Sequence, residues 1–339
     1  MDRQRRSLIG AALATLGASV AGCGSPPAVL TPPPPPERPP LVIAALTDLL
    51  PAAGLGWLVV IRPAALLTLP WLQPSLSRVL KDERLELLAT TTGVDLRRVP
   101  ELALGAYGEE HTVLYLVRHG RDPLAVERLF RQRLTGGEQR SVEADSRLVR
   151  VAGRIGRQSH VFVGLGREVA GFQYGGDPRR GPARVAMLYA AGKLSKSPTV
   201  SADDELGPLW KELGDAPVRT LLPGPFDETM TRGARGLLGA ATAIALSATP
   251  TADRSLALAV LLGGDFTGDR ERASELLLAA WGDVAESDLG HLLGIHRPVA
   301  AARAAVSPSR LRLDAAVDPA ALFAGLAAAT TDDIRQIMR

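Results

Sequence analysis

Hydrophobic positions along the chain fall into short runs that alternate between the two-residue period of strands and the longer period of helices. Trp57 to Arg62 (WLVVIR) is apolar, rich in β-branched side chains and closed by Pro63, which predicts a buried strand. A helical region through Leu85, Leu87 and Leu88 ends by Gly93. Leu102 to Tyr107 and Thr112 to Val117 are strand-like runs around Gly108-Glu109-Glu110, hence a hairpin. Asp122-Pro123 then opens a helix, Asp as N-cap and Pro in the first turn, with Leu124, Val126, Leu129, Phe130 and Leu134 as its apolar positions. Arg147 to Ala152 and His160 to Leu165 read as further strands, and Ala183 to Leu194 as a helix.

The second half repeats this order. Val218 to Leu222 resembles the opening strand, Thr242 to Ser247 with Leu256 to Leu262 the hairpin, and Arg270 to Trp281 the helix after it. Val299 to Ala305 and Arg310 to Val317 form another hairpin around Ser307-Pro308-Ser309, and Asp318-Pro319 caps a closing helix. The fold class expected is α+β, in two similar halves with antiparallel sheets and helices packed on one face. The first half spans residues 41–195, the polar stretch 196–216 reads as a linker, and the second half spans residues 217–339. This order resembles that of exported bacterial proteins with duplicated α+β modules, a likeness that implies no particular activity.

Ahead of the body lies a different pattern. Residues 1–7 (MDRQRRS) are positive, and Leu8 to Ala21 are uncharged and mostly apolar, the layout of a secretory signal over residues 1–22. That apolar stretch is about 14 residues, shorter than the roughly 20 a spanning helix needs. It ends in Val20-Ala21-Gly22-Cys23, an aliphatic residue, two small ones and a cysteine. This tetrapeptide resembles the lipobox of bacterial lipoproteins. The resemblance implies diacylglycerol on the Cys23 sulfur, cleavage before Cys23 and acylation of the new amino group, so that several acyl chains hold the protein on a membrane. Arg5-Arg6-Ser7-Leu8-Ile9 resembles a twin-arginine export signal and equally fits a plain basic leader. Gly24 and Ser25 follow the cysteine without the Asp that marks inner-membrane retention in enterobacteria, so the expected location is the bacterial cell envelope, on the outer membrane facing the periplasm. Residues 23–40 carry the lipidated cysteine and a proline-rich tether; sixteen of them, Ser25 to Pro40, reach roughly 50 Å as polyproline II.

Composition narrows the functional classes. A pI near 9.3 suggests nucleic acid, but residues 1–22 hold Arg3, Arg5 and Arg6 against Asp2, and their removal takes the formal charge from +3 to +1. The arginines are interspersed with acids and form no basic stripe, so nucleic acid is not an expected partner. Cys23 is the single cysteine, which excludes an intrachain disulfide and a Cys-based zinc or catalytic pair. The chain has no Gly-x-Ser-x-Gly elbow, no Gly-Lys-Ser/Thr loop, and only the fragments Gly54-Leu55-Gly56 and Gly164-Leu165-Gly166 of a dinucleotide fingerprint.

Five histidines, His111, His119, His160, His291 and His296, show no metal-ligand spacing; the last two stand five apart, about 140° around a helix. Asp203-Asp204-Glu205 and the group Asp265, Asp269 and Glu271 read as solvated loop and helix caps. Gly120-Arg121-Asp122 and Gly263-Gly264-Asp265-Phe266 read as one strand-to-helix turn used twice, and Trp57, Trp71, Trp210 and Trp281 as core or interface aromatics. No catalytic, cofactor or metal residue is assigned. The function expected is a lipid-anchored, non-enzymatic module that binds an envelope protein or a lipid-like ligand. The alternatives are a periplasmic hydrolase using carboxylates and a lipid carrier with an enclosed apolar cavity. Cys23→Ala should abolish acyl labelling and block maturation; unchanged acylation and membrane retention of that variant would refute the lipobox assignment.

Overall fold

A computed structural model describes residues 41–108, 112–143, 147–194, 197–267 and 270–329. Leu55–Ile61 forms strand β1, and Pro63 opens the short helix α1 (Pro63–Leu67), where a missing N–H costs nothing. Helices α2 (Gln73–Leu76) and α3 (Asp82–Thr92) follow, and Gly93 closes α3 in the left-handed conformation. The predicted hairpin is β2 (Glu101–Tyr107) and β3 (Thr112–Arg118); its turn at 109–111 lies outside the described residues. Asp122 caps α4 (Pro123–Gln132), accepting from the Leu124 N–H at 3.0 Å. A meander of β4 (Gly136–Val142), β5 (Leu148–Ile155), β6 (Gln158–Leu165) and β7 (Val169–Tyr174) leads into α5 (Pro182–Ala190).

Helix α6 (Leu206–Glu212) precedes β8 (Val218–Pro223) and α7 (Glu228–Gly233). Next come the hairpin β9 (Ala241–Pro250) and β10 (Leu256–Gly264), then α8 (Arg270–Glu286) and α9 (Asp288–Leu292). The hairpin β11 (Ala300–Ser307) and β12 (Arg310–Val317) runs into α10 (Pro319–Ala329), which Asp318 caps through the Ala320 N–H at 2.9 Å.

The fold class is α+β, and its strands form one antiparallel sheet of twelve, ordered β11-β12-β10-β9-β8-β1-β2-β3-β7-β6-β5-β4. The similar order of the two halves is visible in it. From the central pair β1 and β8, each half steps outward through its hairpin, leaves through a helix (α4 or α8), and returns so that its last strand lies beside the hairpin (β7 on β3, β12 on β10). The central pair is antiparallel, with Leu58 opposite Leu221 and Val60 opposite Arg219. The halves therefore share one sheet.

Each strand sends alternate side chains to opposite faces. On one face Leu58, Val60, Leu114, Leu116, Val163 and Leu221 pack against Leu46, Leu50, α5 and α6. On the other face α4 places Phe130 against Phe162 and Phe172, ring centroids 5.6 and 6.3 Å away, and α8 places Leu277 near Leu262 and Leu313. Helices thus cover the second face as well as the first. Within 197–216, the described part of the stretch expected as a linker, Val200, Leu206, Leu209, Trp210 and Leu213 are buried in the same cluster as Leu58 and Leu221. Short spacing among polar residues hid that helix. Strand β4 also has no counterpart in the sequence pattern, because six of its seven residues are exposed and none alternates with a buried one.

Because Leu58 and Leu221 are fully buried and face each other across the join, Leu221→Ala should cost about 2–5 kcal/mol in urea unfolding. Leu87→Ala, at a side chain 62% exposed on α3, should change stability by less than about 0.5 kcal/mol.

Candidate functional site

The alternation that builds the core runs into charge at one end of the central strands. In β1 the phase of Leu58 and Val60 continues to Arg62, in β3 that of Leu114 and Leu116 to Arg118, in β2 that of Ala103 to Glu101, and in β8 that of Leu221 to Arg219. β1 and β3 carry their charge at the C-terminal end, β2 and β8 at the N-terminal end. Antiparallel pairing therefore gathers all four on one face at one end.

There they line a cleft of about 360 Å³, together with Asp215 from the turn before β8 and Trp210 from α6. The Arg219 guanidinium lies over the Trp210 ring, 4.3 Å from its centroid, a cation–π contact. Its Nη1 donates to the Gly214 carbonyl at 3.0 Å, and its Nη2 stands 3.6 Å from a Glu101 oxygen, beyond hydrogen-bond range. The other Glu101 oxygen is 3.9 Å from Arg118 Nη2. Arg118 donates to the Ile43 and Ala44 carbonyls at 3.0 and 3.3 Å and to Glu168 at 3.2 Å, which pins the chain entering the body. Arg62 donates to the Asp215 carbonyl at 3.0 Å and to its carboxylate at 3.1 Å.

Arg219 is the unusual member. Its side chain is only 10% exposed, and its Nε–H has no acceptor among the described residues. Burial pulls its guanidinium below the ordinary arginine value, the Arg62 charge acts in the same direction, and Glu101 and Asp215 oppose both. A second concavity of about 180 Å³ has its charges already matched. Its Arg312 donates to both Asp314 oxygens at 2.7 to 3.0 Å.

Among known proteins, no family model matches the chain, and no curated protein matches it. Solved structures of TP0453 are similar in fold: crystal forms III and I have a TM-score of 0.49 and form IV of 0.48, each at 10% identity. They cover 86% of this chain and 99%, 99% and 97% of theirs.

Of the residues singled out in the sequence, Cys23, the leader 1–22, the tether and His111 lie outside the described residues, as does Asp269. Asp203 caps α6, accepting from the Glu205 and Leu206 N–H groups at 3.0 and 2.9 Å. Asp265 and Asp122 stand in the two corresponding turns, Asp265 bonded to Thr267 at 2.8 Å. His291 and His296, read as separate, are stacked with centroids 4.1 Å apart. The helix between them stops at Leu292, and Gly294 at φ 72° turns the chain back, a conformation glycine adopts without strain. Glu286 lies 3.6 Å from His291, yet among the described residues no group of three His, Cys, Asp or Glu is placed to hold a metal.

His119 and His160 are buried, 5% and 6% exposed, and burial holds both below the ordinary value of 6.5. For His119 a backbone hydrogen bond with Arg121 and the Glu168 charge raise the value against that pull, whereas for His160 the Arg133 charge adds to it. The unfolded chain binds more protons at these sites, so the stability they contribute is present above pH 6.5 and is lost as pH falls through their folded values. Urea midpoints should drop as pH is lowered from about 6.5, and the slope should flatten in His160→Gln.

Proposed function

We propose that the protein is a lipid-anchored module of the bacterial envelope, tethered through Cys23, that binds its ligand in the arginine cleft of the central strands. The observation that carries this reading is the set of Arg62, Arg118 and Arg219 with Trp210. These side chains converge from three strands and a helix on one concave surface, and one buried donor there has no acceptor among the described residues. Buried donors are mostly matched in folded proteins, and of the four buried side-chain atoms without a partner among the described residues, Arg219 Nε is the one in the lining of this cleft, where a ligand oxygen can reach it.

The surroundings favour binding over hydrolysis. Glu101 lies between two guanidiniums, and the Asp215 side chain is 92% exposed beside Arg62; neither occupies the apolar, uncharged setting that suits a carboxyl to acid catalysis. The cleft wall is polar, unlike the closed apolar chamber a carrier needs for acyl chains.

Tagged full-length protein, purified in mild detergent from a bacterium that processes it, should retain an envelope component at near-stoichiometric level by native mass spectrometry. Arg62→Ala with Arg219→Lys should reduce that retention about tenfold or more while the fold, checked by circular dichroism, is kept. Retention that is absent in the wild type, or indifferent to both substitutions, would sink the proposal.

A further inference from the structure

The chemistry of the cleft specifies its ligand further. Arg219 has two hydrogen-bonding edges. The Nη1 end is used by the Gly214 carbonyl, whereas the Nε and Nη2 edge, the one that forks two oxygens of an oxyanion, has Nε without a partner among the described residues and Nη2 facing Glu101 across 3.6 Å. Arg62 is paired with Asp215 and Arg118 with Glu168, whereas Arg219 faces only the Glu101 oxygen at 3.6 Å and has no carboxylate within hydrogen-bond range among the described residues. Arg62 flanks Arg219 from the adjacent strand β1, and Arg118 stands beyond Glu101 on β3. Donors arriving from several directions suit the tetrahedral oxygens of a phosphate better than the flat fork of a carboxylate. A volume of about 360 Å³ leaves room for whatever the phosphate is attached to.

We infer that the cleft is an oxyanion site that takes the phosphate group of its ligand on the Nε and Nη2 edge of Arg219, with Arg62 as flanking donor and Arg118 as a further one. This rests on the binding reading above. Glu101, close to two guanidiniums and in hydrogen-bond range of neither, is the internal rival of that phosphate. It keeps the empty cleft from holding uncompensated positive charge and yields when a dianion or phosphodiester arrives. Arg219 is a binding residue here, and Trp210 beneath it is a positioning residue that fixes the plane of the guanidinium.

Calorimetric titration of the full chain in nonionic detergent, at constant ionic strength, tests the inference with two probes. Inorganic phosphate represents a free source, and dihexanoyl phosphatidylglycerol represents a lipid headgroup; dihexanoyl phosphatidylcholine is the control for acyl contacts. Saturable binding of either anionic probe is expected, and the tighter one identifies the source. Arg219→Lys keeps the charge but lacks the fork, and should weaken binding about tenfold. Glu101→Gln removes the rival carboxylate and should tighten it several-fold, a gain that a misfolded variant does not show. Arg128→Ala, at an exposed position of α4 outside the cleft lining, should leave binding unchanged.

No saturation by either anionic probe, or equal affinities in wild type, Arg219→Lys and Glu101→Gln, would overturn the inference. In that case continued cleft-dependent retention of an envelope component would leave the binding reading standing with a different ligand. Conversely, Arg219-dependent phosphate binding without such retention would uphold the oxyanion site and remove the envelope ligand.

Discussion

The hydrogen bonding between β1 and β8 is the contact on which the remaining architecture depends. Each strand opens its own half, and their antiparallel register turns two α+β units into a continuous sheet. Were they unpaired, each half would expose a strand edge and a split core. Paired, they let Leu58, Val60 and Leu221 share one hydrophobic cluster, onto which α5 and the 197–213 segment close. The same register sets Arg219 beside Val60 and brings Arg62 level with the turn that holds Asp215. Burial of the core and assembly of the charged cleft are thus two results of a single strand pairing.

Much of the architecture was readable in the chain, and the failures have physical causes. Strands with a buried face announced themselves: WLVVIR, the hairpin around residue 108 and the run from Leu256 all lie where alternation or apolar density placed them. Helices with an Asp-Pro start were equally plain, since Asp122 and Asp318 accept the N–H groups their position predicts. Edge strand β4 escaped because a solvent-exposed ribbon has no apolar phase to detect. α6 escaped because seven residues, with a Gly and a Pro among them, look like connecting chain; only tertiary contact shows that Leu206, Leu209 and Trp210 are inside.

The cleft was hidden for a different reason. Each of its strand charges is unremarkable alone, at or near one end of an apolar run, where a charge normally marks the way out to solvent. A signal existed in their polarity: charge at the end of β1 and β3 and at the start of β2 and β8 is the combination that antiparallel order superposes. Reading it requires the strand order, and above all the knowledge that β8 lies next to β1, which spans more than 150 positions in the chain. The stacked histidines make the complementary point: helical geometry separates His291 from His296, and a left-handed glycine after the helix brings them back together.

A sheet that does not close into a barrel has two rims, and here they are unlike. At the β4 rim, Glu138 and Arg140 are bonded to Arg131 and Glu127 of α4, a charged border that resists an incoming strand. At the β11 rim, Arg303 is the only charged residue among alanines, a valine and a serine, several of them exposed. The β11 rim is therefore the less protected of the two. A strand added there by a second copy would pair β11 with β11 about a twofold axis, an isologous contact that ends at a pair instead of running on into a fibre.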